Sequence, residues 1–384
     1  MKENKKTFIG VFTLAMALVG NVIGVSFSTG REVMTYFGNF GPWGYVGIVL
    51  AFGALALCAW MTWHTSRNMD KYTFEWIVSP RGWKPWRIFS IFFTLIGLYS
   101  SVSAMIAGTG SILEALFGVP YFVGALFMVV ASCIIAFLSL KKFADTLGAL
   151  VPVMVVLAIG ICVICAFAPA VPNEAGFAAV HSENALIGGW FTSALIYIGY
   201  NIGPVRSMIA PMSKEIKDNK TISLAAVISA VLLIAVAACA STAIIRNYDI
   251  CSTEALPTVT MAYYKSKVAG ILYGAVAILA ILSTMSAFLQ IFKAAFSAYI
   301  KPLRESKTKL NLAILAITLL AFALSFVGFS TIVDKVWAVL GYLGFLGIAF
   351  AIYNFFYYRK HPQNAATAVD NVELAPIVEE NTEV

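Results

Sequence analysis

The sequence predicts an all-α integral membrane protein of ten transmembrane helices, arranged as a 5+5 inverted repeat in which helices 1 and 6 are broken. Three observations predict it. The 384 residues are 60% hydrophobic and only 12% charged, with a mean hydropathy of +0.85, far from the balance of a water-soluble domain. Apolar runs recur along the chain, each long enough to cross a hydrocarbon core of roughly 30 Å. Two of those runs are interrupted by glycines and polar residues at the depth where an ordinary span is most apolar. No soluble stretch is long enough to fold around its own core. Residues 1–360 therefore read as one transmembrane domain, with repeats over about 7–168 and 187–357.

The first span, about 7–37, follows Lys2, Lys5 and Lys6. That start resembles a signal peptide, but the apolar run is too long and no small-residue cleavage pattern precedes its polar centre, so it reads as a retained span. Its centre is G-N-V-I-G-V-S-F-S-T-G-R-E-V-M-T-Y-F, residues 20–37. Gly24, Ser26, Ser28, Thr29 and Gly30 fall at mid-membrane and are followed at once by Arg31 and Glu32. Backbone that leaves the helix inside a bilayer must be buried in protein or line a cavity. The stretch thus predicts a half-helix over 7–24, an extended strip at 25–29 and a second half-helix from Gly30. Such breaks point to the binding site of a secondary transporter.

A glycine-rich turn at 38–44 leads to span 2, about 43–63. The segment 63–87 carries five basic residues, two prolines and four tryptophans, and reads as an interfacial loop. Span 3 is about 88–115, span 4 about 120–140 and span 5 about 144–168. A loop without Lys or Arg, 169–186, leads to span 6 at about 187–211. Spans 7 to 10 cover about 221–245, 267–292, 309–328 and 334–357. The tail 361–384, with Asp370, Glu373, Glu379, Glu380 and Glu383, reads as disordered and acidic.

Span 6 repeats the logic of span 1. In S-A-L-I-Y-I-G-Y-N-I-G-P-V-R, residues 193–206, Gly199, Tyr200, Asn201 and Gly203 interrupt an apolar run. Pro204 stands where a new half-helix would begin, its missing N–H costing nothing there, and Arg206 follows early in that second half. Spans 1 and 6 are thus the first members of two five-span halves. Five is odd, so the halves enter the membrane from opposite faces.

The net charge of +7 reads as topology rather than as a nucleic-acid surface. Of the 26 Lys and Arg, 20 fall on the side of the amino terminus and four (Arg246, Lys265, Lys267 and Lys335) on the other; the remaining two are Arg31 and Arg206. Both termini are therefore expected in the cytoplasm of a bacterial-type cell membrane. The six cysteines lie mostly in apolar spans and read as small buried hydrophobes. His64, His181 and His361 are scattered through segments read as loops, no ligand spacing or phosphate-cradling motif appears, and an enzyme is not expected.

Ten spans with breaks in the first and sixth resemble the LeuT-type fold of the amino acid–polyamine–organocation (APC) superfamily. Within it, G-V-S-F-S-T-G-R-E, residues 24–32, resembles the G-x-G-F-A-S-G-Q-E signature of the YkvI-like bacterial membrane proteins. Tyr200-Asn201 and A-G-T-G-S-I-L-E, residues 107–114, fit the same family, while Ser26 and Arg31 depart from its pattern. The resemblance implies a secondary transporter. It also implies a Na⁺ site on span 8, where LeuT-type sodium symporters pair hydroxyls with carbonyls of the first half of span 1. Ser283 and Ser286 share a helix face and are the preferred pair, with backbone near Gly24; hydroxyls bonding their own i−4 carbonyls are the competing reading. Proton-coupled relatives carry a lysine on span 5, and this span 5 has none, which favours Na⁺ over H⁺.

The expected substrate site is therefore Gly24, Ser26, Ser28, Thr29, Gly30, Tyr200, Asn201 and Gly203. Half-helix N-termini facing it suit a carboxylate, so the expected solute is an amino acid or a relative. Arg31, Glu32, Arg206 and Glu114 are the candidate gating or coupling residues, because ionisable side chains inside a membrane are costly unless they face protein or water. Arg31 and Glu32 pairing with each other is the simplest accommodation. No cofactor beyond a coupling Na⁺ is expected, and oligomeric state is not legible. A membrane sensor or interaction protein that keeps the fold without transporting is the alternative.

Overall fold

The computed structural model of the protein describes residues 2–23, 25–137, 150–169, 188–216 and 218–361. The described residues are helical throughout, without a strand. Helix α1 is Lys2–Val22, α2 is the single turn Val25–Ser28, and α3 is Arg31–Tyr36. Then come α4 (Pro42–Met69), α5 (Phe74–Ile77), α6 (Lys84–Phe117), α7 (Tyr121–Phe137) and α8 (Leu150–Phe167). In the second half α9 is Trp190–Ile209, α10 Asn219–Arg246, α11 Tyr248–Cys251, α12 Pro257–Lys265 and α13 Lys267–Tyr299. The chain closes with α14 (Lys301–Arg304), α15 (Lys307–Ser325), α16 (Phe329–Thr331), a π-helical turn Ile332–Val336 and α17 (Trp337–Lys360).

Six of these helical stretches are long and apolar enough to cross a membrane: α4, α6, α10, α13, α15, and the run Phe329–Lys360. Shorter apolar helices cover Gly10–Val22, Tyr121–Phe137 and Val155–Phe167. Large apolar side chains stand on the outside, such as Phe92, Val231 and Leu320, each more than 60% exposed. In water such a surface would drive association; against lipid it is the ordinary outer face of a bundle. Inside, α9 packs on α4 and α17 and also meets α1 and α6. Helix starts are capped where they leave the apolar layer: Asp218 accepts from the Thr221 N–H at 2.7 Å and Ser306 from that of Lys309 at 3.3 Å.

The two expected breaks come out differently. Span 1 is interrupted, but residues 25–28 form one helical turn instead of an extended strip. Gly24 and the tail beyond His361 lie outside the described residues. Span 6 is not broken: α9 runs continuously through Gly199, Gly203 and Pro204. The reason lies across the helix interface. A Cβ on Gly199 would sit 2.1 Å from the Gly341 carbonyl oxygen, and one on Gly344 would sit 2.0 Å from the carbonyl oxygen of Gly199. The glycines let two backbones touch, as small residues do between membrane helices. His64 also lies inside a helix, since α4 runs on to Met69.

Candidate functional site

The break in span 1 is built around Gly30. Its φ of +84° is left-handed, and a Cβ there would lie 2.5 Å from Thr258 Oγ1. Only glycine satisfies both conditions. The closeness has a use: the Thr258 N–H donates to the Thr29 carbonyl at 2.8 Å, tying the start of α12 to the opened backbone. Tyr273 of α13 donates its phenolic hydrogen to the Ser28 carbonyl. The break is thus held from two helices that lie more than 200 residues further along the chain.

Arg31 and Glu32 do not pair with each other. Arg31 forms a fork with Asp334, Nε donating to Oδ1 at 3.1 Å and Nη2 to Oδ2, while Nη1 donates to the Glu254 carbonyl at 3.1 Å. Thr35 donates to the same Asp334 carboxylate at 2.7 Å. Planar, two-point pairing of this kind is the strong form of an ion pair. Asp334 was not among the residues the sequence singled out. It sits in the π-helical turn that opens α17, and such turns are frequent at functional sites. Its only sequence signal is a carboxylate at the head of an apolar span.

Glu32 is 2% exposed. Its carboxylate accepts from the Tyr200 phenol, and Tyr36 packs its ring 5.4 Å from that of Tyr200. Tyr200 in turn stacks on Trp337, centroids 5.2 Å apart and planes 30° from parallel. Glu32, Tyr200 and Trp337 form part of the wall of a cavity of about 60 Å³. Its other polar lining is Asn21 of α1, Ser100 and Ser101 of α6, Asn201 of α9 and Thr284 of α13. Phe288, Met105 and Leu340 supply apolar wall. Two of the groups here are buried polar atoms with no partner among the described residues, Asn21 Nδ2 and Trp337 Nε1. Buried polar groups are nearly always satisfied, so a polar cavity beside them has a ready use for a bound solute.

The sequence-expected residues therefore divide. Glu32, Tyr200 and Asn201 meet at the cavity. Ser28 and Thr29 are buried in the break behind it, and Gly30 shapes it. Gly203 faces Thr94 and Phe93 of α6, its Cβ position 3.4 Å from Thr94 Oγ1. Arg206 lies 1% exposed, donating to the Gly347 carbonyl at 3.2 Å beside Cys58, and is not part of the cavity wall. Because Pro204 continues the helix, Arg206 falls two residues beyond the cavity face and turns away. Glu114 is exposed in the last turn of α6, remote from the cavity wall. Ser286 donates to the Leu282 carbonyl at 2.7 Å, the i−4 bond that competes with ion binding. Thr284, between the two serines, is the α13 hydroxyl residue at the cavity.

No family model matches the chain. It is 23% identical over 345 residues to the uncharacterized membrane protein YkvI of Bacillus subtilis (strain 168), covering 87% of this chain and 93% of that one. Among solved structures it is similar to MhsT, crystallised in complex with L-phenylalanine, with a TM-score of 0.62, 14% identity, and 92% and 95% of the two chains covered. It is also similar to the manganese transporter of Eremococcus coleocola (TM-score 0.54, 15% identity, 91% and 79% covered). Mhp1, a nucleobase-cation-symport-1 family transporter in a closed conformation with bromovinylhydantoin bound, superposes with a TM-score of 0.51, at 18% identity over 88% and 74% of the chains. The resemblance to YkvI and the LeuT-type fold read from the sequence both stand. The fold is one found in membrane transport proteins.

Proposed function

We propose that the protein is a secondary transporter moving a small carboxylate-bearing solute, an amino acid or a close relative, by ion-coupled alternating access. The observation that carries this reading is the cavity where a broken helix 1 meets α6, α9, α13 and α17, polar on one wall and aromatic on another. A protein of the same fold was crystallised with an amino acid, which supports that class of solute. Ten spans in two inverted halves, with both termini in the cytoplasm, complete the reading. The Arg31–Asp334 pair is the outer gate, closing the cavity toward the side poor in Lys and Arg. Na⁺ is the favoured coupling ion.

Purified protein screened by thermal shift against amino acids, with NaCl or with choline chloride, tests the proposal. A bound solute raises the midpoint by mass action, and the rise is expected to need Na⁺. The Ser283→Ala/Ser286→Ala double variant is expected to lose that sodium dependence while staying folded. Unchanged dependence in the double variant removes the α13 serines from the ion site. Absence of stabilisation by every amino acid removes the solute class.

A further inference from the structure

The segment between α4 and α6, residues 70–83, is fastened down more firmly than a connection needs to be. It holds α5 and the tight turn Pro80–Gly82. Asn354, buried in the last turns of α17, donates to the Ile77 and Ser79 carbonyls at 2.7 Å each. Its Oδ1 accepts from the Arg81 N–H at 3.4 Å, and the Arg81 guanidinium lies over the Tyr357 ring at 4.8 Å. Trp76 packs with Met69 and Tyr358 in a small buried cluster, and α5 rests against α4, α6 and α9. The segment is therefore a strap. It ties α6 to α17, two helices of the cavity wall, at the end remote from Asp334, since Asn354 stands about 25 Å along the helix from Trp337.

Under the strap lies an acid with an incomplete set of partners. Glu75 is 2% exposed. Its Oε1 accepts from the Thr73 hydroxyl at 2.6 Å, while Oε2 has no partner among the described residues. Arg87 of α6 is near enough to act on it electrostatically, yet among the described residues no ion pair joins them. The Arg87 guanidinium lies instead over the Trp76 ring at 3.9 Å, leaving its Nε buried and without an acceptor. A buried carboxylate with one bare oxygen is costly, and the neutral acid much less so. Burial accordingly pushes the Glu75 carboxyl up. Once ionised, Glu75 has Arg87 beside it, and pairing draws the guanidinium off the indole that holds it by cation–π attraction.

The surrounding elements bring other titratable groups. Tyr299 of α13 faces Glu75 with its phenol, and Lys71 of the strap lies over the Trp76 ring at 5.4 Å. On α4, Arg67 bonds Asn219 Oδ1 at 2.9 Å and His64 packs against Trp60. On α9, Arg206 bonds the Gly347 carbonyl. We infer that Glu75 is a proton-operated latch: neutral, it lets the strap dock and seal this end of the bundle; ionised, it pairs with Arg87 and frees the strap. The docked state binds the proton more tightly, so docking is favoured at low pH and lost as pH rises through the docked value. In the transport reading, on which only this consequence rests, the strap lies on the cytoplasmic side, and an acidified cytoplasm closes the inner route to the cavity.

Hydrogen–deuterium exchange of the purified full chain, read by mass spectrometry at about pH 5 and about pH 8 and corrected for intrinsic rate, tests the latch. Strap amides from Phe74 to Trp83 are expected to lose about tenfold in protection at the higher pH, with those of α10 unchanged. Glu75→Gln, which copies the neutral acid, is expected to keep them protected at both. Thr73→Val removes a bond that favours the carboxylate and is expected to move the loss to higher pH. Equal protection of the parent strap at the two pH values overturns the inference, and so does a downward move in Thr73→Val. A loss that persists in Glu75→Gln overturns it too, and its disappearance in His64→Gln would then assign the titration to His64. No solute enters these measurements, so their failure leaves the transport proposal standing, and failure of every solute to bind leaves the latch.

Discussion

At Gly30 the backbone is left-handed and the Thr258 hydroxyl stands where a side chain would begin, whereas at Gly203 the backbone is helical and the nearest atom to a new Cβ is Thr94 Oγ1 at 3.4 Å. The two glycines looked equivalent in the sequence, and the structure separates them. Gly30→Ala should cost about 1–2 kcal/mol in backbone strain alone and displace Thr258 from its bond to Thr29. Gly203→Ala should be nearly neutral, since alanine suits a helix better than glycine by about 0.5–1 kcal/mol. Ligand-induced thermal shifts should vanish in the first variant and persist in the second; equal behaviour would remove the break from the site. A second residue-scale prediction concerns Glu75, 2% exposed in the short helix α5 outside the membrane spans. Burial raises its carboxyl above the usual carboxylate range, opposed by the Thr73 hydroxyl and by Arg87. The fold therefore prefers the neutral acid. Its contribution is fully present below the unfolded value and is lost as pH rises through the folded one. Glu75→Gln should flatten that decline, measured as midpoint against pH from 4 to 8, and parallel curves for the two proteins would refute it.

Between elements, α9 and α17 approach so closely that their glycines touch backbone to backbone. Two glycines on α17 make a matched test. A Cβ on Gly344 would fall 2.0 Å from the Gly199 carbonyl oxygen, while one on Gly347 meets nothing within 4 Å. Gly344→Ala should force the helices apart and cost about 1–3 kcal/mol, the usual penalty of overpacking. Gly347→Ala should be neutral or mildly stabilising. Because Tyr200 and Trp337 stack across the same interface, the first variant should also weaken ligand binding and the second should not. Equal midpoints for the two would mean the contact between α9 and α17 yields freely.

For the molecule as a whole, the distribution of Lys and Arg sets orientation, and a ten-span chain returns its carboxyl end to the side of its amino end. A reporter fused after Val384 should read cytoplasmic, and one inserted near Glu174 should read the opposite compartment. Both on one side would end the ten-span arrangement. The pair of Arg31 and Asp334, 303 residues apart in sequence, joins the first helical segments to the last, and the proposed topology would put it at the outer end of the cavity.

What the sequence determined by itself is the part governed by composition and by backbone chemistry. Apolar runs must be helical in lipid, because each backbone group needs an internal partner. A cluster of glycine, hydroxyls and charge at mid-span must open the helix or line a cavity, and at Gly30 it does. The tertiary structure decided what each polar residue meets. Arg31 had a carboxylate next door in Glu32 and took one from the π-helical turn before α17 instead, since adjacent side chains on a helix point apart. Gly199 to Pro204 looked like a second break and became a contact surface, because glycine serves close packing and chain reversal equally well and only the neighbouring helix distinguishes them. Trp337 joined the cavity from a position that carries no local mark of function, being an ordinary residue at the start of a helix that meets the others only in the assembled bundle.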